Sequence, residues 1–153
     1  RYVLLRHANP FEDSDLTLES IHEHYTANLV NGLGNLVARV MTLAEAHLAP
    51  VELTQEDTTV ETAFTEKIEA YRFHEAMDLV WEHVAKGDAF MTEKAPYKAI
   101  KTNPEEAKKD IEKLVRHLAK LAVHLAPAMP ATSALILDAV RANKKPANLF
   151  PRI

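Results

Sequence analysis

Asn28, Asn31, Asn35, Arg39 and Thr42 recur at spacings of 3, 4, 4 and 3 residues, which places them on one side of a helix. Leu29, Leu33, Leu36, Val37, Val40 and Ala44 fall on another side of the same stretch and form an apolar stripe that needs a core to face. A purely solvated side would carry Glu and Lys, which form helices better than Asn. A row of short amides ending in a guanidinium presents directional donors and acceptors instead. Gly32 and Gly34 cost this helix roughly 1 kcal/mol each against Ala. Gly32 sits at the edge of the polar row, where a missing side chain lets another molecule approach the backbone. The plainer alternative is an Asn-rich surface whose glycines relieve a tight helix crossing.

A second group of residues lies at Glu93-Lys94-Ala95-Pro96-Tyr97-Lys98. Pro96 interrupts a helix and sets the direction of the chain. Tyr97 then stands at a helix end among Lys94, Lys98 and Lys101. An aromatic ring there can stack an unpaired base, worth roughly 1–3 kcal/mol per base, while lysines neutralise phosphate. The alternative is a ring half buried beneath the proline turn. Taken together, the Asn/Arg row and this aromatic suggest a reader of single-stranded RNA.

Other chemistry finds little support. Eight histidines invite a metal reading, but His22 and His24 point about 200° apart on a helix, from the ~100° each residue turns. His74-Glu75 lacks the second histidine of a zinc-protease motif. Glu19-x-x-His22 is half of a bundle di-iron site without its counterpart. His117 and His124 share a face without a third ligand. All eight are read as surface or boundary residues, and no metal site is expected. There is no glycine-rich phosphate loop, no nucleophile elbow and no nucleophile–base pair, so no catalytic residue is assigned.

These groups have to be positioned by helices. Residues 1–6 are apolar and helical or extended, and 9–16 form a loop. Thr17 is an N-cap, and the helix it opens kinks or restarts at Thr26-Ala27-Asn28 and ends near Leu48, ahead of Pro50. After a polar linker, a helix spans about Thr58 to Ala70. Phe73, Ala76, Met77, Val80, Trp81 and Val84 mark the next, which fades before Ala95. Asn103-Pro104-Glu105-Glu106 is a cap, a first-turn proline and a glutamate three past the cap. That helix buries Ile111, Leu114, Val115, Leu118, Leu121, Ala122 and Leu125. Pro127 and Pro130 end it, and Pro130 opens a last helix to about Ala142. The tail is irregular, and its Leu149, Phe150 and Ile153 need a surface. The expected architecture is an all-α bundle of about five helices.

At 153 residues the chain can bury a real core. It has no cysteine, hence no disulfide or thiolate site, and no transmembrane or signal segment is visible. A cytoplasmic setting fits. The net charge of −4 divides into −11 over residues 1–93 and +7 over 94–153, so any attraction for phosphate is local and oriented. The opening Arg1-Tyr2-Val3-Leu4-Leu5-Arg6, without a Met, reads as the end of an element that began earlier.

These residues resemble the C-terminal anticodon-binding domain of methionyl-tRNA synthetases, class I aminoacyl-tRNA synthetases. The resemblance runs through Arg1–Arg6, Asn28–Arg39, Tyr71–Ala76, Ala95–Lys98, Leu125–Pro130 and Asn148–Ile153. Leu33-Gly34-Asn35-Leu36-Val37-Ala38-Arg39 and the Leu-Phe-Pro-Arg-Ile ending are most specific to the methionyl branch. Leu125-Ala126-Pro127-Ala128-Met129-Pro130 is shared with leucyl, isoleucyl and valyl relatives. The resemblance implies that Asn35 and Arg39 read a CAU anticodon, with Asn31 one turn earlier. It also implies that Tyr97, where the family commonly has Trp, stacks on the first anticodon base. It further implies that residues 1–16 end a catalytic or stem region, 17–142 form the bundle, and 143–153 dock on the catalytic body. The family's catalytic signatures and zinc-knuckle cysteines are absent, so the chain itself is expected to need no cofactor. The full-length enzyme would use ATP, with Mg, to charge tRNA(Met). The expected partners are the anticodon loop of tRNA(Met) and the enzyme's own catalytic domain, not DNA or a membrane. A leucyl, isoleucyl or valyl bundle and a helical module without an RNA role are the alternatives.

Overall fold

The computed structural model describes every residue except Asn9, Pro10, Ser14 and Ile153, and the described residues form helices and turns with no strand. Helix α1 (Tyr2–His7) lies against the later helix α5 (Phe73–Lys94). Tyr2 sits 4.4 Å, ring to ring, from Trp81, and the Arg6 guanidinium covers the same indole at 4.7 Å. Thr17 then opens the rod that carries the Asn/Arg row. Its hydroxyl accepts from Ser20 N while Ser20 Oγ accepts from Thr17 N, both at 3.1 Å. This reciprocal cap satisfies two donors that helix geometry leaves orphaned.

The rod does not break at residues 26–28. Helix α2 (Leu18–His24), a π-helical stretch (Tyr25–Gly34) and α3 (Asn35–His47) follow one another directly. The wider winding falls where the sequence suggested a discontinuity, and the helical segments follow without an interruption. Leu29, Leu33, Leu36, Val37, Val40, Met41 and Ala44 all face the core. Gly34 serves packing: a Cβ there would lie 3.0 Å from Leu29 O and 3.1 Å from Phe150 Cδ2. Gly32 is half buried, and its Cβ would reach Val84 of α5. Gly34 therefore relieves close packing, whereas a Cβ at Gly32 would make only ordinary contacts.

The linker after α3 is fixed to the bundle. Asp57, in a 3₁₀ turn (Glu56–Thr58), accepts from Thr54 N and from Arg116 Nη1, both at 2.7 Å. Lys120 Nζ donates to Glu56 O and Thr59 O. These bonds hold residues 56–59 outside a regular helix, so α4 (Thr62–Glu69) starts four residues later than the sequence pattern predicts. After α5, Ala95 adopts a left-handed conformation (φ 41, ψ 53) and Pro96 starts the short α6 (Pro96–Ala99). Asn103 caps α7 (Pro104–Leu125), accepting from Glu106 N at 3.4 Å. Helix α7 is the centre of the bundle and packs on α3, α5 and α8 (Pro130–Ala142). Its Ile111, Val115, Leu118, Leu121, Ala122 and Leu125 are inaccessible to solvent. The rod 18–47 with α4, α5, α7 and α8 makes up the expected five-helix bundle, to which α1 and α6 are additions.

The tail folds back on this same bundle. Asn143, left-handed at φ 47, donates through Nδ2 to Ala44 O (3.2 Å) and Leu48 O (2.7 Å), satisfying carbonyls at the end of α3. Lys145 N donates to Glu45 Oε2 at 2.9 Å. Phe150 is buried against Gly34 and meets Tyr25 edge to face, and Tyr25 Oη donates to Pro151 O at 2.7 Å. The surface that Leu149 and Phe150 required is therefore on the bundle itself. Ile153, the third apolar residue expected to dock, lies outside the described residues.

Candidate nucleic-acid interface

Asn31 and Asn35 are both exposed, and neither side chain has a hydrogen-bond partner among the described residues. Their amides remain available to a ligand. They line a cleft of about 700 Å³ with Gly34, Ala38, Asn148 and Arg152. One turn further along α3, Arg39 lines a recess of about 290 Å³ with Ala38, Thr42, Leu43, Met91, Tyr97 and Lys145. A third hollow, of about 460 Å³, joins them through Gly34, Ala38, Lys145 and Asn148. The three share Ala38, so the polar row, the guanidinium and the aromatic ring border neighbouring hollows around it. One wall is the rod, and much of the other is the tail.

Arg39 is held lightly. Its Nη1 meets Asp88 Oδ1 at 3.4 Å, with both side chains more than a third exposed. One long contact engages one of five guanidinium donors. Burial raises the Asp88 carboxyl above its usual range, and the Arg39 charge partly offsets this. Tyr97 is 45% exposed. It is turned outward because Pro96, its neighbour at the start of α6, is buried. The left-handed Ala95 lets the chain change direction there at the end of α5. Tyr97, Met91 and Leu43 line the same recess, and an exposed aromatic face beside apolar side chains can take a base by stacking.

The lysines expected beside Tyr97 are arranged differently. Lys98 Nζ lies 5.7 Å from the Tyr97 ring centroid, Lys94 meets Glu93 at 3.6 Å, and Lys101 is exposed. None of the three borders the recess, whose lysine is Lys145. Lys145, Asn148 and Arg152 were read only as parts of an irregular tail. The signal for them was present in Leu149 and Phe150, whose need for a surface brings the neighbouring polar residues onto the bundle.

The histidines also need correction. His124 is completely buried on α7. It joins Glu61 and His83 in a group whose potential ligand atoms lie within 4.8 Å of one another. Both His124 nitrogens are committed: Nδ1 donates to Lys120 O at 2.7 Å and Nε2 accepts from Glu61 N at 3.1 Å. With that lone pair occupied, His124 is held by hydrogen bonds as it stands, while Glu61 Oε1 meets His83 Nε2 at 3.4 Å. Burial, reinforced by His117 and His124, lowers the pKa of His83 against an opposing pull from Glu61. His7 stacks on His24 at 3.6 Å. Burial, His24 and Arg6 lower its pKa to about 4, Asp78 opposing. Both histidines take up protons less readily in the folded chain than in the unfolded one. The unfolded state therefore gains protons first as the pH falls below about 6.5. Urea unfolding midpoints are expected to fall between pH 7.5 and pH 5, and to fall less when His7 is replaced by Asn.

Comparisons with known proteins show the family and the fold. A family described as the anticodon binding domain of methionyl tRNA ligase matches residues 41–149. A methionine–tRNA ligase of Flavobacterium johnsoniae is 29% identical over 88% of this chain, and one of Thermococcus kodakarensis is 30% identical over 87%. In each case the match covers 20% of the relative, so the chain spans about a fifth of the length of these proteins. The fold is that of the crystal structure of apo Mycobacterium tuberculosis methionyl-tRNA synthetase, with a TM-score of 0.78 and 20% identity over 99% of this chain and 38% of that one. No described helix is long and apolar enough to cross a membrane. With a family match over most of its length and the same helical bundle, the chain belongs to the family of anticodon-binding domains of methionyl tRNA ligases.

Proposed function

We propose that this chain reads the CAU anticodon loop of tRNA(Met), within a methionine–tRNA ligase whose remaining residues attach methionine using ATP. The observation that carries this reading is the groove itself, in which Asn31, Asn35, Arg39 and Tyr97 border connected hollows. Single-stranded RNA is recognised by splaying bases onto aromatic faces and hydrogen-bonding their exposed edges. Tyr97 supplies the face, with less area than an indole would offer. Asn35 and Arg39 supply the edge contacts, with Asn31 one turn away. Lys94, Lys98 and Lys101 lie beyond the recess and contribute attraction for phosphate, consistent with the basic second half of the chain. Pro96 sets the position of the ring. This chain binds RNA, and the chemistry of charging belongs to the rest of the protein.

The test is binding of RNA hairpins that differ only in the loop, measured at two salt concentrations. Raising the salt weakens general attraction to phosphate but leaves base readout. The CAU hairpin is expected to keep its advantage over a permuted loop at the higher salt. Equal binding of both loops would overturn the reading in favour of a helical module with no decoding role.

A further inference from the structure

We propose that Lys145 binds the RNA backbone inside the groove, holding the phosphate that links a base in the Arg39–Tyr97 recess to the next base along the polar row; this rests on the anticodon reading above. Lys145 borders the recess of Arg39, Met91 and Tyr97 and also the hollow of Gly34, Ala38 and Asn148. It therefore stands where a strand passing from one to the other must run. Its side chain is exposed, and its ammonium has no carboxylate partner among the described residues. Its backbone is fixed. Lys145 N donates to Glu45 Oε2, Asn143 is bonded to the end of α3, and Phe150 anchors the chain beyond. An ammonium is a compact, strongly hydrated charge suited to phosphate at a wet rim rather than to the edge of a base. The slot itself is apolar, floored by Leu43 and Met91, so a base that enters leaves its phosphate at that rim. Such contacts set register without carrying sequence information.

Lys145→Ala should then weaken binding of the CAU hairpin and of a permuted hairpin by the same factor, about fivefold at moderate salt. It should also reduce the slope of log affinity against log salt by about 0.7, one phosphate's share for single strands. Lys145→Arg should restore both. The variant keeps the backbone N–H that Glu45 holds, and an unchanged thermal midpoint separates lost contact from lost fold. If the wild type prefers CAU and Lys145→Ala keeps the wild-type affinity and slope, the inference is wrong and the anticodon reading stands. A loss confined to the CAU hairpin also overturns it, since Lys145 would then be reading a base. A wild-type chain without loop preference removes the anticodon reading and this inference together.

Discussion

Arg39→Ala is expected to weaken binding of a CAU hairpin by about 1–3 kcal/mol and to narrow the gap between CAU and permuted loops. The size follows from geometry. Arg39 sits between the amide row and the Tyr97 slot, and its single long contact with Asp88 leaves most of its donors free. Truncation removes the multidentate group from the middle of the groove. The fold should barely respond, because an ion pair this exposed contributes about 0–1 kcal/mol. An unchanged melting temperature together with a lower affinity would assign the loss to recognition. Asp88→Asn serves as the control: it removes the carboxylate charge, keeps the guanidinium, and should preserve the CAU preference. If Asn35→Ala combined with Arg39→Ala binds as the wild type does, RNA is read on another face.

Phe150→Ala is expected to cost about 3 kcal/mol, near the lower end for deleting a buried aromatic ring. The cost is bounded because the tail can leave the bundle without unfolding α7. The lost contacts are the ring against Gly34, its edge-to-face meeting with Tyr25 and, with them, the bond from Tyr25 Oη to Pro151 O. Urea denaturation measures the stability. Limited trypsin digestion should show faster cleavage after Lys144, reporting release of the tail; Lys145 precedes Pro146 and is not a trypsin site. RNA affinity should fall too, since the second wall of the groove goes with the ring. A variant with normal proteolysis and normal binding would show that the tail is held elsewhere.

Much of the helical architecture was legible in the sequence because it depends on local rules. The Asn103-Pro104 start, the stop at Pro50 and the apolar stripe of α5 each act within a turn or two. The start of α4 was misplaced because Arg116 and Lys120, distant in sequence, bind the preceding segment. The π winding was visible only as a doubtful join at residues 26–28, since periodicity does not distinguish a wide turn from a restart. Within the groove, the Asn row and Tyr97 could be found because both lie on elements with a readable face. Lys145 could not, because its position depends on Phe150 finding Gly34 more than a hundred residues away in sequence. His124 was misread for a similar reason: the backbone groups that satisfy both of its nitrogens include one on the loop before α4.

The Tyr25–Pro151 bond has a consequence for synthesis. It joins positions 126 residues apart. Domains made from the N-terminus fold as their parts emerge, so the rod and its amides are available early. The opposite bank forms only when Phe150 and Pro151 have left the ribosome. A chain stopped just short of Phe150 would keep its helices and yet lack the second wall of the groove.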